Sequence, residues 1–147
     1  MSKTQLFKIA VSAFIVCEEK ILILKRAEDE SFLPGTWEVP GGGIEEGETL
    51  EEGVIRETKE EAGLDVVPQQ LFGYFEYLDG RGQKTVNLNF LCQLVHDTQD
   101  VDIPLGEMTE ARWAPVDAFS EIPFTSTLMS NACREAIALH IRTKNRS

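Results

Sequence analysis

Apolar residues follow two different spacings along the chain, and the first is typical of strands. Six short segments are rich in Ile, Val, Leu and aromatic residues, and turn-forming residues separate them. These predicted strands are residues 7–17, 21–26, 37–39, 70–78, 84–96 and 111–115. The polar break at 18–20 and the glycine-bearing residues 79–82 predict two hairpin turns.

The second spacing is helical and occurs twice. Thr49 fits an N-cap with Glu52 three positions later, and Gly63 suits a left-handed terminator, which predicts a helix over 50–62. A second helix is predicted over 127–142, where the apolar positions at helical spacing are Leu128, Ala132, Ala136 and Leu139. Strands dominate and a long β section separates the helices, so we expect an α/β fold with a mixed sheet covered by helices.

Length and charge narrow the class of protein. The 147 residues fit a single domain spanning 1–147 with a sizeable core. The net charge of −11 argues against a protein that holds a nucleic-acid polymer through its phosphates, because such binding needs clustered Lys and Arg. A small nucleotide could still bind if metal ions supplied the positive charge.

The cysteines and the hydropathy of the chain indicate the cellular compartment of the protein. The three cysteines are odd in number, far apart and set among apolar neighbours, which favours free thiols in a reducing compartment. The apolar runs are too short for a membrane span, and the first residues lack a secretory pattern. We therefore expect a cytoplasmic protein that does not bind membranes.

The predicted helix over 50–62 belongs to an acidic stretch. Eight glutamates lie between residues 45 and 61, against one arginine and one lysine. Glu57, Glu60 and Glu61 fall within an arc of about 100°, and Gly53 lies in the middle of that arc, where a ligand or another backbone could come close. A solvated acidic face is one interpretation. The other is a site for a hard divalent cation such as Mg²⁺, which prefers carboxylate oxygens.

This stretch resembles the Nudix box. The family pattern is G, five residues, E, seven residues, then R-E-U-x-E-E-x-G-U, where U is a bulky aliphatic residue. The matching positions are Gly42, Glu48, Arg56, Glu57, Glu60, Glu61, Gly63 and Leu64. Thr58 departs from it, since an aliphatic residue is usual there. The resemblance, which is closest to the MutT-like members, implies the Nudix fold, a mixed β-sheet sandwiched between helices (α/β/α).

The resemblance also implies a reaction and a set of residues. The reaction is Mg²⁺- or Mn²⁺-dependent hydrolysis of a nucleoside diphosphate linked to another group. The implied metal ligands are the side chains of Glu57, Glu60 and Glu61 and the backbone carbonyl of Gly41. Glu48 would form an orienting ion pair with Arg56, which could also pair along the helix with Glu60 or Glu52. Among the catalytic candidates we expect Glu57 to be the general base, and a glutamate on a later loop is the alternative.

Glu107 is the later loop glutamate that stands near the position of an additional metal ligand in MutT-like relatives, and Glu110 is its weaker rival. A loop carboxylate without a role is an equally good interpretation. Lys25 and Arg26 end the second predicted strand, where relatives carry basic residues that touch the substrate. Solvated charge at a strand end would explain them as well.

Two asparagines occupy an unusual place. Strand alternation puts Thr85, Asn87 and Asn89 on one face of the strand predicted over 84–96, although asparagine is disfavoured in strands. Our hypothesis is that Asn87 and Asn89 line the cavity of a small-molecule substrate and bind it.

These observations favour one function and leave three alternatives. The favoured reaction converts a (deoxy)nucleoside triphosphate to the monophosphate and pyrophosphate. The alternatives are an ADP-ribose or nucleotide-sugar pyrophosphatase, a non-catalytic nucleotide-binding Nudix module and an acidic interaction protein. A homodimer is compatible with the resemblance.

Overall fold

The computed structural model describes residues 3–104 and 106–146, and it contains all six predicted strands and both predicted helices. The strands are β1 Lys8–Cys17, β2 Lys20–Arg26, β3 Trp37–Glu38, β4 Gly41–Gly43, β5 Val66–Leu78, β6 Lys84–Leu94 and β7 Met108–Pro115. The helices are α1 Leu50–Ala62 and α2 Thr127–Asn145, and a 3-10 helix covers Val116–Glu121.

The strands form a mixed sheet in the order β3-β2-β1-β6-β5, with β4 paired to β1 and β7 paired to β2. β1 and β6 run parallel, and the other pairings are antiparallel. β1 and β2 form the predicted hairpin, whose turn residues Glu18 and Glu19 have φ values of 52° and 61°. Two consecutive positive φ values suit the right-handed twist of the flanking strands.

The two faces of β1 bury two separate apolar cores, because successive side chains point to opposite sides. On one face, Val11, Ala13 and Ile15 pack with residues of α1. On the other face, Phe14 and Val16 pack with residues of α2. The sheet is therefore covered by a helix on each side, as predicted.

The structure corrects several predicted boundaries. β5 begins at Val66, four residues before the predicted start, and two register shifts against β6 accommodate Pro68 and its neighbours. β4 is absent from the predicted strands because three glycines carry no strand signal, yet it pairs with β1. The 3-10 helix was not predicted. Leu128, expected on the apolar stripe of α2, is 49% exposed.

Helix α1 has the predicted bounds and caps. The Thr49 hydroxyl accepts a hydrogen bond from the Glu52 amide, and the Glu52 carboxylate accepts one from the Thr49 amide. Gly63 ends the helix with a φ of 68°. Side chains rather than another backbone approach Gly53: the Ile44 side chain and the Glu48 carboxylate fill the space where its Cβ would lie.

Thr58, the departure from the Nudix pattern, is fully buried on the inner face of α1, and its hydroxyl donates to the Val54 carbonyl at 2.7 Å. That bond satisfies the hydroxyl without involving another element. A buried polar group with a local partner costs little, which explains how the helix tolerates a threonine among apolar residues.

We expect Thr58→Val to leave the free energy of unfolding unchanged or to raise it by up to about 1 kcal/mol, because valine has the same shape and removes a buried hydroxyl without orphaning its partner. Urea denaturation followed by circular dichroism measures this. A loss of more than about 1 kcal/mol would show that the hydroxyl stabilises the helix.

Candidate active site

Helix α1 presents its carboxylates to the glycine strand β4. If Gly42 carried a Cβ, that atom would lie 2.6 Å from the Glu57 carboxyl carbon, so the contact requires glycine. One residue earlier, the Gly41 amide donates a hydrogen bond of 2.7 Å to the Glu61 carboxylate. The sequence pattern implied a role for the Gly41 carbonyl. The structure assigns the amide to Glu61, and the carbonyl's role as a metal ligand stays a prediction.

Burial raises the pKa of the two inner carboxyl groups. The pKa of Glu61 rises to about 8, chiefly through burial, with Glu57, Glu38 and Glu107 adding repulsion while the Gly41 amide opposes the shift. Burial also raises the pKa of Glu57, and the hydrogen bond from Arg56 opposes it. Crowded, half-buried carboxylates of this kind are unfavourable without a cation.

Arg56 organises the outer side of the cluster. Its Nε and Nη2 donate to the two Glu48 oxygens at 2.7 and 3.0 Å, which confirms the predicted ion pair. Its Nη2 also donates to the Gly43 carbonyl, which ties α1 to β4. The predicted pairing along the helix is made with Glu60, at 3.2 Å. Glu52 is engaged in the capping box instead.

Arg56 also contacts its neighbour in the sequence. Its Nη1 lies 2.9 Å from a Glu57 oxygen. An i to i+1 contact of this kind is not anticipated from helical spacing, which brings together residues three or four apart. The same guanidinium is held by Glu48 and by the Gly43 carbonyl through its other nitrogens.

The loop before β7 brings a fourth carboxylate to the cluster. A cleft of about 210 Å³ is lined by three glutamates of α1 and by residues 103–104 and 106–108. The four carboxylates of this cleft are Glu57, Glu60, Glu61 and Glu107. The predicted neighbourhood of Glu107 is thus formed, whereas its rival Glu110 pairs with Lys25 at 3.4 Å.

The donor set of this cleft fits a hard divalent cation. In residues 3–104 and 106–146, no three His, Cys, Asp or Glu side chains converge closely enough to hold an ion as they stand. The four glutamates nevertheless supply oxygen ligands of the type that Mg²⁺ and Mn²⁺ prefer. Burial raises the pKa values of Glu57 and Glu61. A bound cation would favour the ionised form of both groups.

A larger cavity of about 410 Å³ adjoins the cluster, and Glu61 and Glu107 line it as well. Its floor is the α2-side face of β1, β6 and β5, where Ala10 pairs with Asn87 and Asn87 with Phe75. The cavity is nucleotide-sized, since small-molecule sites span roughly 300–1,000 Å³. Carboxylates and cavity form one continuous surface.

The two asparagines have different places in this floor. Asn87 lines the cavity; among the described lining residues Asn89 is absent. Ser12 donates to the Asn87 oxygen at 3.0 Å, and the Asn87 amide donates to the Asn89 oxygen at 2.8 Å. Asn89 therefore orients the Asn87 side chain without lining the cavity itself. Both asparagines lie on the polar face of β6 that alternation predicts.

The two basic residues that end β2 also diverge. Arg26 lines the cavity and donates to the Phe32 carbonyl and to Glu38. Lys25 is not among the described residues lining either cavity, and its ammonium lies 3.1 Å from Glu28 and 3.4 Å from Glu110. The structure thus brings Arg26 to the cavity and does not bring Lys25 there.

Sequence reasoning missed several cavity residues. Glu38 lines the wall, and burial raises the pKa of its carboxyl while Arg26 opposes the shift. Phe32 comes from the loop after β2, and Thr125 and Ser126 directly precede α2. Only the arrangement of the loops in space collects these residues, and no spacing in the sequence indicates it.

Comparison with known proteins identifies the family. A comparison with protein-family models matches residues 6–131 to the NUDIX domain. The chain belongs to the Nudix family. Among curated Nudix relatives, a MutT-like protein of Streptomyces ambofaciens is 35% identical over 117 residues, covering 79% of this chain and 69% of the relative. The chain spans less than half the length of three plant Nudix hydrolases of Arabidopsis thaliana that it also matches.

Solved Nudix structures resemble the whole described fold. The MutT protein of Methanosarcina mazei Go1 superposes with a TM-score of 0.76 at 25% identity, covering 95% of this chain and 99% of that one. An ADP-ribose pyrophosphatase of Streptococcus suis 89-1591 superposes with a TM-score of 0.66 at 26% identity, covering 88% and 90%. The predicted Nudix fold is confirmed.

In the part of the Nudix chain that the structure describes, neither helix is long and apolar enough to span a membrane.

We expect Gly42→Ala to abolish most of the hydrolytic turnover while the protein stays folded, because the new Cβ would displace the Glu57 carboxylate. Turnover and circular dichroism measure the two effects. Gly73→Ala is the matched control, since its Cβ would lie 3.8 Å from its nearest neighbour, an ordinary contact. Normal turnover in Gly42→Ala would mean that the position of Glu57 does not matter.

We expect the metal-free protein to lose thermal stability as the pH rises. The pKa of Glu61 is about 8 in the folded chain against an ordinary value of 4.5, so folding favours its protonated form. That stabilisation is complete below the unfolded value and is lost as the pH passes the folded one. Melting temperatures measured across this range should fall less for Glu61→Gln, which cannot ionise. Parallel pH profiles for the two proteins would refute the raised pKa.

Proposed function

We propose that this chain hydrolyses the diphosphate linkage of a nucleoside diphosphate derivative, most simply a (deoxy)nucleoside triphosphate, to the monophosphate and pyrophosphate. One observation carries the proposal: Glu61 and Glu107 belong both to the carboxylate cleft and to the nucleotide-sized cavity. A nucleoside bound in the cavity would therefore present its phosphates to the carboxylates. The Nudix membership and the MutT-like relative support the same reaction class.

Glu57, Glu60, Glu61 and Glu107 would hold Mg²⁺ or Mn²⁺, with the Gly41 carbonyl as a further ligand. A bound divalent cation would neutralise phosphate oxygens and lower the pKa of a water molecule in the site. Arg56 and Glu48 position the cluster, since the guanidinium binds Glu48, Glu57 and Glu60 at once. Losing that guanidinium would release three carboxylates.

We propose Glu57 as the general base, with Glu107 on the later loop as the alternative. A general base works best with a pKa near the working pH, and burial raises that of Glu57 in this direction. The Glu57 carboxylate is also fixed, by Arg56 on one side and by the approach to Gly42 on the other. A fixed carboxylate with a raised pKa is suited to accept a proton from an attacking water.

Cavity residues would bind the nucleoside. Asn87 offers a buried carboxamide that Ser12 and Asn89 hold in one orientation. Arg26 presents a guanidinium at the wall, and Phe75 and Tyr77 offer aromatic rings on the β5 side. Asn89 would act through Asn87. Lys25 would reach a substrate only by leaving Glu28 and Glu110.

The alternative substrate class is ADP-ribose or another nucleotide sugar. One of the similar solved structures is an ADP-ribose pyrophosphatase, which keeps this alternative open. The cavity volume lies at the small end of the usual range, which favours a single nucleoside with its phosphates over a larger conjugate. A non-catalytic binding module is disfavoured because it would have no need for every carboxylate of the cluster.

The proposal also covers the cellular location and the binding partners of the enzyme. Cys17, Cys92 and Cys133 are free thiols, which fits a cytoplasmic protein. Its partner would be a small nucleotide rather than a nucleic-acid polymer, because the net charge is −11. A homodimer remains a prediction.

We expect the wild-type protein with Mg²⁺ to release pyrophosphate from at least one nucleoside triphosphate, and Glu57→Gln to lose at least about a hundredfold in kcat. A panel of triphosphates, ADP-ribose and nucleotide sugars, with pyrophosphate and phosphate scored separately, measures both. Turnover of ADP-ribose alone would select the alternative substrate class.

Mg²⁺ binding is checked without turnover by thermal denaturation. Millimolar Mg²⁺ should raise the melting temperature of the wild type by mass action, and Glu57→Gln should respond less. Equal turnover and equal Mg²⁺ response in the two proteins would refute the role of Glu57. No turnover of any compound with a normal Mg²⁺ response would indicate a binding module.

A further inference from the structure

Lys8 lies at the outer end of the cavity floor, at a position that the family pattern does not cover. Strand alternation places it on the same face of β1 as Ala10 and Ser12, which line the cavity. In the sheet register Lys8 pairs with Thr85 of β6, and Thr85 pairs with the cavity residue Tyr77 of β5. Lys8 therefore lies next to the floor and on its face of the sheet, although it is not among the described residues that line the cavity.

The Lys8 stem runs along the glycine strand that packs on the carboxylates. Its Cε lies 3.3 Å from the point where a Cβ on Gly43 would be. The preceding residue, Gly42, is the one whose opposite face contacts Glu57. The Lys8 stem thus passes β4 one residue from Gly42, on the face of the sheet that carries the cavity and opposite to Glu57.

The present partner of Lys8 holds it weakly. Its Nζ lies 3.7 Å from Asp79 Oδ2, and the Lys8 side chain is 49% exposed. The other Asp79 oxygen accepts hydrogen bonds from the Arg81 and Gln83 amides at 2.8 and 2.9 Å, so the turn holds Asp79 independently of Lys8. A long, exposed ion pair contributes little to stability, and Lys8 can exchange Asp79 for another anion at small cost.

The cavity lining carries more negative than positive charge, so a further cation would help it to bind a phosphate group. Four carboxylates are among the described residues that line it, and they are Glu38, Glu61, Asp79 and Glu107. Arg26 is the cation among those residues, and its guanidinium already donates to the Phe32 carbonyl and to Glu38. Metal ions would offset part of this charge, but phosphate oxygens that point away from the metals would still face an anionic wall.

We propose that Lys8 leaves Asp79 and binds a phosphate oxygen of the bound nucleotide. The inference rests on the proposed function, and it adds a substrate-binding residue from the start of β1. The exchange replaces one anionic partner by another, so the ammonium is paired both before and after the substrate binds. Asp79 would then keep Lys8 close to the cavity in the empty enzyme.

The decisive experiment compares Lys8→Met with Lys84→Met. Lys84 lies at the same end of the sheet, but alternation puts it on the opposite face of β6 from Thr85, where it contacts the Phe7 ring. For the triphosphate that the wild type turns over fastest, Lys8→Met should raise KM about tenfold, as expected for a lost charge-assisted bond. Its kcat and the kinetics of Lys84→Met should stay within about twofold of wild type.

Salt dependence and a conservative variant test whether the effect is electrostatic. Added salt should raise KM less in Lys8→Met than in wild type, because one screened contact is gone. Lys8→Arg should restore most of the affinity. A KM of Lys8→Met within about twofold of wild type, with unchanged salt dependence, would overturn the proposal.

A binding measurement separates this inference from the proposed function. Deoxynucleoside 5′-monophosphates and bare deoxynucleosides of the four bases are titrated into each variant. Lys8→Met should weaken only the monophosphates, whereas equal weakening of both classes, or of neither, would overturn the role of Lys8. If the wild type hydrolyses no nucleotide, the proposed function fails, and this titration alone decides on Lys8.

Discussion

The close approach of a glycine strand to an acidic helix is the contact on which the candidate site depends. β4 and α1 meet where Gly42 leaves room for the Glu57 carboxylate and the Gly41 amide binds Glu61. Any side chain at Gly42 would occupy the position of that carboxylate. Arg56 holds the same two elements together, since it binds the Gly43 carbonyl and three glutamates. The helix therefore contributes both the negative charge and the cation that keeps it in place.

The arrangement stores electrostatic free energy that a ligand can release. Half-buried carboxylates raise one another's pKa, and burial contributes more to the shift at Glu61 than any neighbouring charge does. In the absence of a cation, the raised pKa values of Glu61 and Glu57 favour the protonated forms of these two groups. Binding of a divalent cation would replace the protons, and metal affinity should therefore be coupled to pH.

The regular elements and the box were predictable because their signals are local. Thr49, Glu52 and Gly63 mark the ends of α1, and alternation in β6 placed Thr85, Asn87 and Asn89 on one face. β4 was missed because three glycines carry no strand signal and only pairing with β1 orders them. Lys25 and Arg26 show the same limit. Neighbours on a strand point to opposite faces, but only the fold determines that Arg26 faces the cavity while Lys25 meets two surface carboxylates.

The hydrogen bond between Ser12 and Asn87 joins residues 75 positions apart in the chain, across the parallel pair β1 and β6. The acidic helix α1 and the glycine strand β4 lie entirely within that interval, and they can associate earlier during synthesis. The cavity beside them is completed only after β6 and the start of α2 have been added, because Asn87 of β6 and Leu128 and Met129 of α2 line it. Contacts this distant in sequence form slowly. A nascent chain that ends before β6 would hence carry the glutamates of α1 but lack both Glu107 and the cavity in which to hold a nucleoside.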